Sequence, residues 1–112
     1  MKRIYLFIMC LATIMSCGQS EEEKSLTKEV YKEYKDEQIN AGTSVPFNIL
    51  NLEIKSKEQR QDTIIYNVEF DIQEMYPSRR VYYEGHTTIK KTKGKGYDVG
   101  ILLYHENSKL NR

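Results

Sequence analysis

The apolar residues change their spacing once along the chain, at Pro46, and this change limits the possible folds more than any other feature. Before it, Leu26, Val30 and Tyr34 recur every fourth residue among lysines and glutamates, which predicts a helix over residues 26–38. Proline cannot continue a helix, because its nitrogen carries no hydrogen for the backbone hydrogen bond. The sequence therefore predicts one amphipathic helix followed by a part with different secondary structure.

After Pro46, apolar and polar residues alternate, as they do in strands with one buried face. The clearest strand covers residues 64–72, in which every even-numbered residue is apolar. The inward residues of the other three predicted strands are Leu50, Leu52 and Ile54; Val81, Tyr83, Thr87 and Ile89; and Tyr97, Val99, Ile101 and Leu103. Because each strand has a single apolar face, the sheet is predicted to be antiparallel, with one face in water.

The register of the last hairpin follows from matching its inward faces. A two-residue turn would pair residues of opposite faces, whereas a three-residue loop over residues 92–94 pairs Ile89 with Tyr97 and gives Gly94 the left-handed conformation. The same register predicts three pairs on the outer face: Tyr82 with Tyr104, Glu84 with Leu102, and His86 with Gly100.

One helix followed by a four-stranded antiparallel meander defines an α+β fold, a two-layer sandwich. We expect this domain to cover residues 26–112. The order of elements over about residues 26–105 resembles the cystatin-like topology.

The start of the chain has the features of an export signal. Lys2 and Arg3 precede an apolar run from Ile4 to Met15, broken only by Thr13. A membrane-spanning helix needs about 20 apolar residues, so this run is too short for a permanent anchor. Residues 1–16 are therefore predicted to be a cleaved signal peptide.

The end of that run, Ile14-Met15-Ser16-Cys17, resembles the lipobox of bacterial lipoproteins. Ser16 is small enough for the peptidase pocket, whereas the competing Cys10 follows the bulky Met9. The resemblance implies a diacylglycerol on the sulfur of Cys17, which becomes the N-terminus and holds the protein on its membrane. Since Cys10 leaves with the signal, the mature chain can form no internal disulfide.

The residues after Cys17 are small and acidic, and the junction resembles that of Bacteroidota lipoproteins. There, an acidic cluster such as Ser20-Glu21-Glu22-Glu23 directs export to the cell surface, which implies an outer-membrane protein exposed to the exterior. Two other interpretations stay open: a flexible tether over residues 17–25, or a capping box formed by Ser20 and Glu23 that opens a helix.

The sequence contains no pattern typical of catalysis, cofactor binding or metal binding. The whole chain has 17 basic and 16 acidic residues, a balance that argues against nucleic acid as a partner. His86 and His105 are the only histidines, too few for a structural zinc site. Glu69 and Asp71 share a strand face that lacks the apolar enclosure needed for acid–base chemistry. We therefore predict neither an enzyme nor a cofactor.

Two surface features suggest contact with other molecules. Ile65, Tyr82, Leu102 and Tyr104 are predicted to make the outer sheet face partly apolar, which favours a protein-binding module at the envelope. The alternatives are an inhibitor or immunity protein, and a small-ligand carrier or enzyme on a related fold. A lysine-rich hairpin tip guards against aggregation or contacts an anionic surface; its lysines are Lys90, Lys91, Lys93 and Lys95.

Overall fold

The computed structural model of the protein describes residues 19–110. The predicted signal peptide, residues 1–16, lies outside the described residues, as do Cys10 and Cys17. Signal cleavage and lipidation therefore stay predictions.

Helix α1, Glu21–Asn40, begins at a capping box. The Oγ atom of Ser20 accepts a hydrogen bond from the Glu23 N–H at 3.1 Å, and Glu23 Oε1 accepts one from the Ser20 N–H at 3.2 Å. Three acidic side chains in the first turn also complement the positive end of the helix dipole. Of the two open interpretations of this segment, the capping box is confirmed, and residues 21–25 belong to α1 and not to a flexible tether, because this cap starts the helix more than one turn before Leu26.

The sheet is antiparallel throughout and follows the predicted meander. Its strands are β1 (Phe47–Arg60), β2 (Thr63–Tyr76), β3 (Arg79–Thr92), β4 (Tyr97–Val99) and β5 (Leu103–Glu106). Strands β1 to β4 are neighbours in chain order, and β5 pairs with β3 further along the edge that β4 occupies. The predicted α+β architecture is confirmed, and the predicted fourth strand is divided into two short ones.

The core lies between α1 and the sheet. Leu26, Val30 and Tyr34 are buried on the helix, as predicted. The even-numbered residues of β2 meet them from the sheet, and Phe70 lies over Gly85 of β3, where a Cβ atom would come within 2.6 Å of its ring. The remaining core side chains are Phe47, Ile49, Leu52, Tyr66, Val68, Ile72, Ile89 and Leu102.

Strand β1 changes its inward face at Asn51. Phe47 and Ile49 are buried before this point and Leu52 after it, whereas Leu50 is only half-buried. Asn51 has a φ of 55° at a shift in the register with β2, and asparagine tolerates this left-handed conformation better than most residues. The prediction that Leu50 faces inward is wrong, because the extra residue inverts the alternation.

The predicted register of the last hairpin is also wrong. Ile89 pairs with Val99 instead of Tyr97, and residues 93–96 form the loop, with Gly94 at a φ of 79°. The chain then leaves the ladder at residues 100–102 and returns one residue out of phase. Tyr104 therefore lies opposite Gly85, on the side of α1, and the predicted inward residues Ile101 and Leu103 are exposed.

Candidate functional site on the open face of the sheet

The sheet face turned away from α1, here called the open face, carries polar side chains that bond across strands. Asn48 Nδ2 donates a hydrogen bond to Gln73 Oε1 at 3.0 Å, and Gln73 Nε2 donates one to Tyr82 Oη at 2.9 Å. Further along the strands, Thr88 Oγ1 donates to Asn67 Oδ1 at 2.8 Å. Such cross-strand pairs stabilise the sheet while its surface stays in water. The open face is therefore a hydrated surface that other molecules can reach.

A trough of about 350 Å³ crosses the middle of the open face and is mainly acidic. Glu69 is the cross-strand neighbour of both Glu53 and His86. Lys55 Nζ lies 3.5 Å from Glu53 Oε1 and 3.9 Å from Glu69 Oε1, and so offsets only part of the negative charge. The trough attracts cationic groups, because four carboxylates line it and Lys55 pairs with only two of them. Its charged and titratable lining consists of Glu53, Glu69, Asp71, Glu84, His86 and His105.

A second hollow of about 270 Å³ adjoins the trough at Glu69 and His86 and has an apolar wall. The wall is formed by Ile101, which is 81% exposed, and Leu103, which is 54% exposed. Ile101 lies in the break between β4 and β5, where its carbonyl accepts a hydrogen bond from Thr87 Oγ1 at 2.9 Å. Exposed apolar side chains beside charged ones are typical of protein-binding surfaces.

The partly apolar patch predicted from the sequence, formed by Ile65, Tyr82, Leu102 and Tyr104, is not present. The first reason is that two of these residues, Leu102 and Tyr104, lie on the side of the sheet that faces α1. Leu102 is buried in the core. The ring centroid of Tyr104 lies 5.5 Å from that of Tyr34 on α1, and its hydroxyl donates to Glu37 Oε1 at 3.3 Å. The inversion between β4 and β5 moves both residues away from the open face.

The other two residues of that patch lie on the open face but far apart. Tyr82 pairs with Gln73, and Ile65 pairs with Lys90. Residues 82 and 90 are separated by about 26 Å along β3, at about 3.3 Å per residue. Tyr82 and Ile65 therefore do not form one contiguous apolar patch.

Most side chains of the predicted export cluster, residues 20–23, form contacts within the domain. Glu22 Oε2 lies 2.8 Å from Lys57 Nζ and accepts a 2.6 Å hydrogen bond from Tyr66 Oη, and these two interactions lower the pKa of Glu22. Glu23 completes the capping box with Ser20, and its Oε2 accepts a hydrogen bond from a backbone N–H of β1. Glu21 is the exposed member, and its only described ion pair is with Lys24 in the same helix.

A buried tyrosine–carboxylate pair, missed by the sequence reasoning, lies under α1. Tyr34 Oη donates to Glu74 Oε2 at 2.6 Å, and Tyr76 Oη donates to Glu74 Oε1 at 2.9 Å. Glu74 is only 7% exposed. Burial, followed by the bond to Glu74, raises the pKa of Tyr34 above its ordinary value. The sequence did indicate that Glu74 is buried, since it occupies the next inward-facing position of β2 after Ile72.

The titratable side chains of the open face are in contact with water. Glu69 and Asp71 lie in the trough, where water reaches both carboxylates. Within residues 19–110, no group of three or more His, Cys, Asp or Glu side chains is arranged to hold a metal ion. Over the same residues, no helix has the length and apolar character needed to cross a membrane. No family model, curated protein or solved structure matches the chain.

Proposed function

We propose that the chain is a lipid-anchored protein of the bacterial envelope whose domain binds a protein partner through the open face of its sheet. The anchor is the lipid on Cys17, inferred from the sequence Ile14-Met15-Ser16-Cys17 after a short apolar run. We place the anchor in the outer membrane and the domain on the cell surface. One helix packed on an antiparallel meander supports the cystatin-like topology that the order of elements suggests.

The single observation that carries the binding proposal is the exposure of Ile101 and Leu103 beside the acidic trough. Neither side chain adds to the core, because the break between β4 and β5 holds both outside it. The partner is therefore a protein with a basic surface around an apolar side chain: the trough would receive the charges, and the hollow the apolar group.

The binding proposal is tested with a double variant, Ile101→Ser with Leu103→Ser, in the full-length protein. Apolar anchors at the centre of an interface are each worth about 2 kcal/mol, so affinity should fall by tenfold or more. The assay is cross-linking on intact cells followed by quantitative mass spectrometry of the co-purified proteins.

The matched control is Ile39→Ser, which removes an apolar side chain of similar exposure, 62%, from the end of α1. We expect the control to recover the same partner as the unaltered protein and the double variant to lose it. Equal recovery by the double variant would refute binding through the open face.

The anchor has an independent test. Cys17→Ala should abolish incorporation of palmitate and leave the signal uncleaved, whereas Cys10→Ala should change neither. Persistent palmitate labelling of the Cys17→Ala protein would show that the lipid is attached to another residue.

A further inference from the structure

The charged residues of α1 are segregated on the two flanks of the helix. Four exposed lysines lie on the flank towards β1, here called the basic flank: Lys24, Lys28, Lys32 and Lys35. Lys28 and Lys32 border a hollow of about 420 Å³ whose other wall includes Asn48 and Ile49 of β1. The opposite flank carries Glu22, Glu29, Glu33 and Asp36. Since 100° of rotation separates successive residues, these spacings give an acidic stripe and a mainly basic one, whose first turn also contains Glu21, the partner of Lys24.

The lysines of the basic flank are free to meet an outside anion. Within the part of the chain that the structure describes, Lys28 and Lys35 form no salt bridge. Lys24 and Lys32 reach Glu21 and Glu29 only at 3.6 and 3.8 Å, in exposed pairs within the helix. Exposed pairs of this kind contribute little to stability.

The chain enters the domain on the same side as the basic flank. The first described residue, Gln19, donates a hydrogen bond from Nε2 to the Leu52 carbonyl of β1 at 2.9 Å. Cys17 is two residues earlier in the chain, and two residues of extended chain span at most about 7 Å. Lys24 is one turn into α1, and the basic flank runs about 16 Å from Lys24 to Lys35, at 1.5 Å per residue. A lipid on Cys17 would therefore attach beside one end of this lysine stripe.

An amphipathic aromatic ring lies within the basic flank. Tyr31 is 38% exposed and stacks on Phe47, with a centroid distance of 4.4 Å. It also lines the hollow between α1 and β1. Tyrosine suits the boundary between lipid and water, because its ring is apolar and its hydroxyl polar.

We infer that the basic flank of α1 lies against the anionic phosphate headgroups of the membrane that holds the chain's own lipid. This inference rests on the proposed anchor. The acyl chains keep the protein on the bilayer, and the lysines orient it, each favouring the membrane-apposed orientation by about fivefold. The open face, on the other side of the sheet from α1, then points away from the bilayer. The lysine-rich hairpin tip is less suited to this contact, since eight residues of β1, about 26 Å, separate Leu52 from the strand end beside that tip.

The test uses the acylated protein, reconstituted into phosphatidylcholine vesicles with or without phosphatidylglycerol. Once Cys10 is removed with the signal and Cys17 is acylated, a single introduced cysteine can carry a fluorophore. Three sites are compared: Ile39→Cys at the far end of α1, Gly96→Cys at the hairpin tip, where a new Cβ meets open space, and Ser78→Cys in the exposed β2–β3 turn. A lipid with a nitroxide on its headgroup quenches only fluorophores at the membrane surface.

We expect the strongest quenching at residue 39, and only in vesicles that contain phosphatidylglycerol. Replacing the four lysines of the basic flank by glutamine should lower that quenching, whereas a control with Lys90→Gln, Lys93→Gln and Lys95→Gln should leave it unchanged. Equal quenching at the three sites, strongest quenching at residue 96, or no effect of the basic-flank variant would overturn the orientation alone. A purified protein whose mass shows no acyl group on Cys17 would overturn the anchor and the orientation together.

Discussion

The close approach of Phe70 to Gly85 gives the sharpest prediction for the core. In Gly85→Ala, the new Cβ would lie 2.6 Å from Phe70 Cε1 and 2.9 Å from Cζ, and 3.3 Å from the Leu103 carbonyl oxygen. Carbon atoms pack at about 3.5–4.0 Å, so the ring must move by about 1 Å in a core that has little free space. Overpacking of this kind costs about 1–3 kcal/mol, offset by about 0.5–1 kcal/mol because alanine loses less backbone entropy than glycine.

The expected net loss for Gly85→Ala is therefore about 0–2.5 kcal/mol, with a midpoint of about 1 kcal/mol, and each kcal/mol lowers the melting temperature by about 4–8 °C in a domain of this size. Urea and thermal denaturation followed by circular dichroism would measure it. Gly96→Ala is the control and should be nearly silent, since no atom lies within 4 Å of its added Cβ. Adding Phe70→Leu should make room for the alanine, so the double variant should lose less stability than the two single losses combined. A gain in stability for Gly85→Ala, or simple additivity with Phe70→Leu, would refute this account of the packing.

Three further predictions concern α1. Tyr34→Phe keeps the buried ring but removes the donor to Glu74, so the free energy of unfolding should fall by about 1–3 kcal/mol in a urea titration; an unchanged value would mean that this bond contributes nothing. The contacts of Glu22 lower its pKa in the fold, so their stabilisation is complete above the unfolded pKa of about 4.3 and is lost as the pH falls through the lower folded value. The difference in unfolding free energy between the wild type and Glu22→Gln should therefore shrink on acidification, and a constant difference would contradict it. Glu21→Ala alone should reduce surface exposure in protease shaving of intact cells and cost no more than about 1 kcal/mol of stability, because Glu21 interacts only with Lys24 and the helix dipole among the described contacts; undiminished shaving would argue against an export role for this residue.

How far the sequence predicted the fold depended on whether the alternation of each strand was continuous. Strands β2 and β3 keep one inward face over fourteen residues each, and their inward residues were predicted correctly. In β1 and in the last hairpin, an extra residue inverts the faces, and a matching rule that assumes uninterrupted strands fails there. Gly100 did indicate the break between β4 and β5, since a glycine inside an apparent strand often marks a bulge. Asn51 gave little indication of the bulge in β1.

The residues of the candidate site were likewise predicted correctly in the continuous strands and wrongly in the interrupted one. Glu69, Asp71 and His86 were assigned to the outer face correctly, because they belong to the two continuous strands. The apolar wall could not be predicted: Ile101 and Leu103 have the spacing of core residues and become exposed only through the break between β4 and β5. The sequence left the start of α1 open, since Ser20 and Glu23 fit both a capping box and a flexible tether.

Both edges of the sheet are irregular. β1 carries register shifts beside Asn51 and Ile54, and the opposite edge consists of β4 and β5, with three and four residues. A long, regular edge would offer a row of free backbone groups to which another chain could add as a further strand. Proteins tethered to one bilayer meet each other far more often than they do in dilute solution, so a continuous edge would promote chain-to-chain sheet growth. The irregular edges leave only short segments for such pairing, so if the chain is anchored as proposed, copies on one membrane can stay separate.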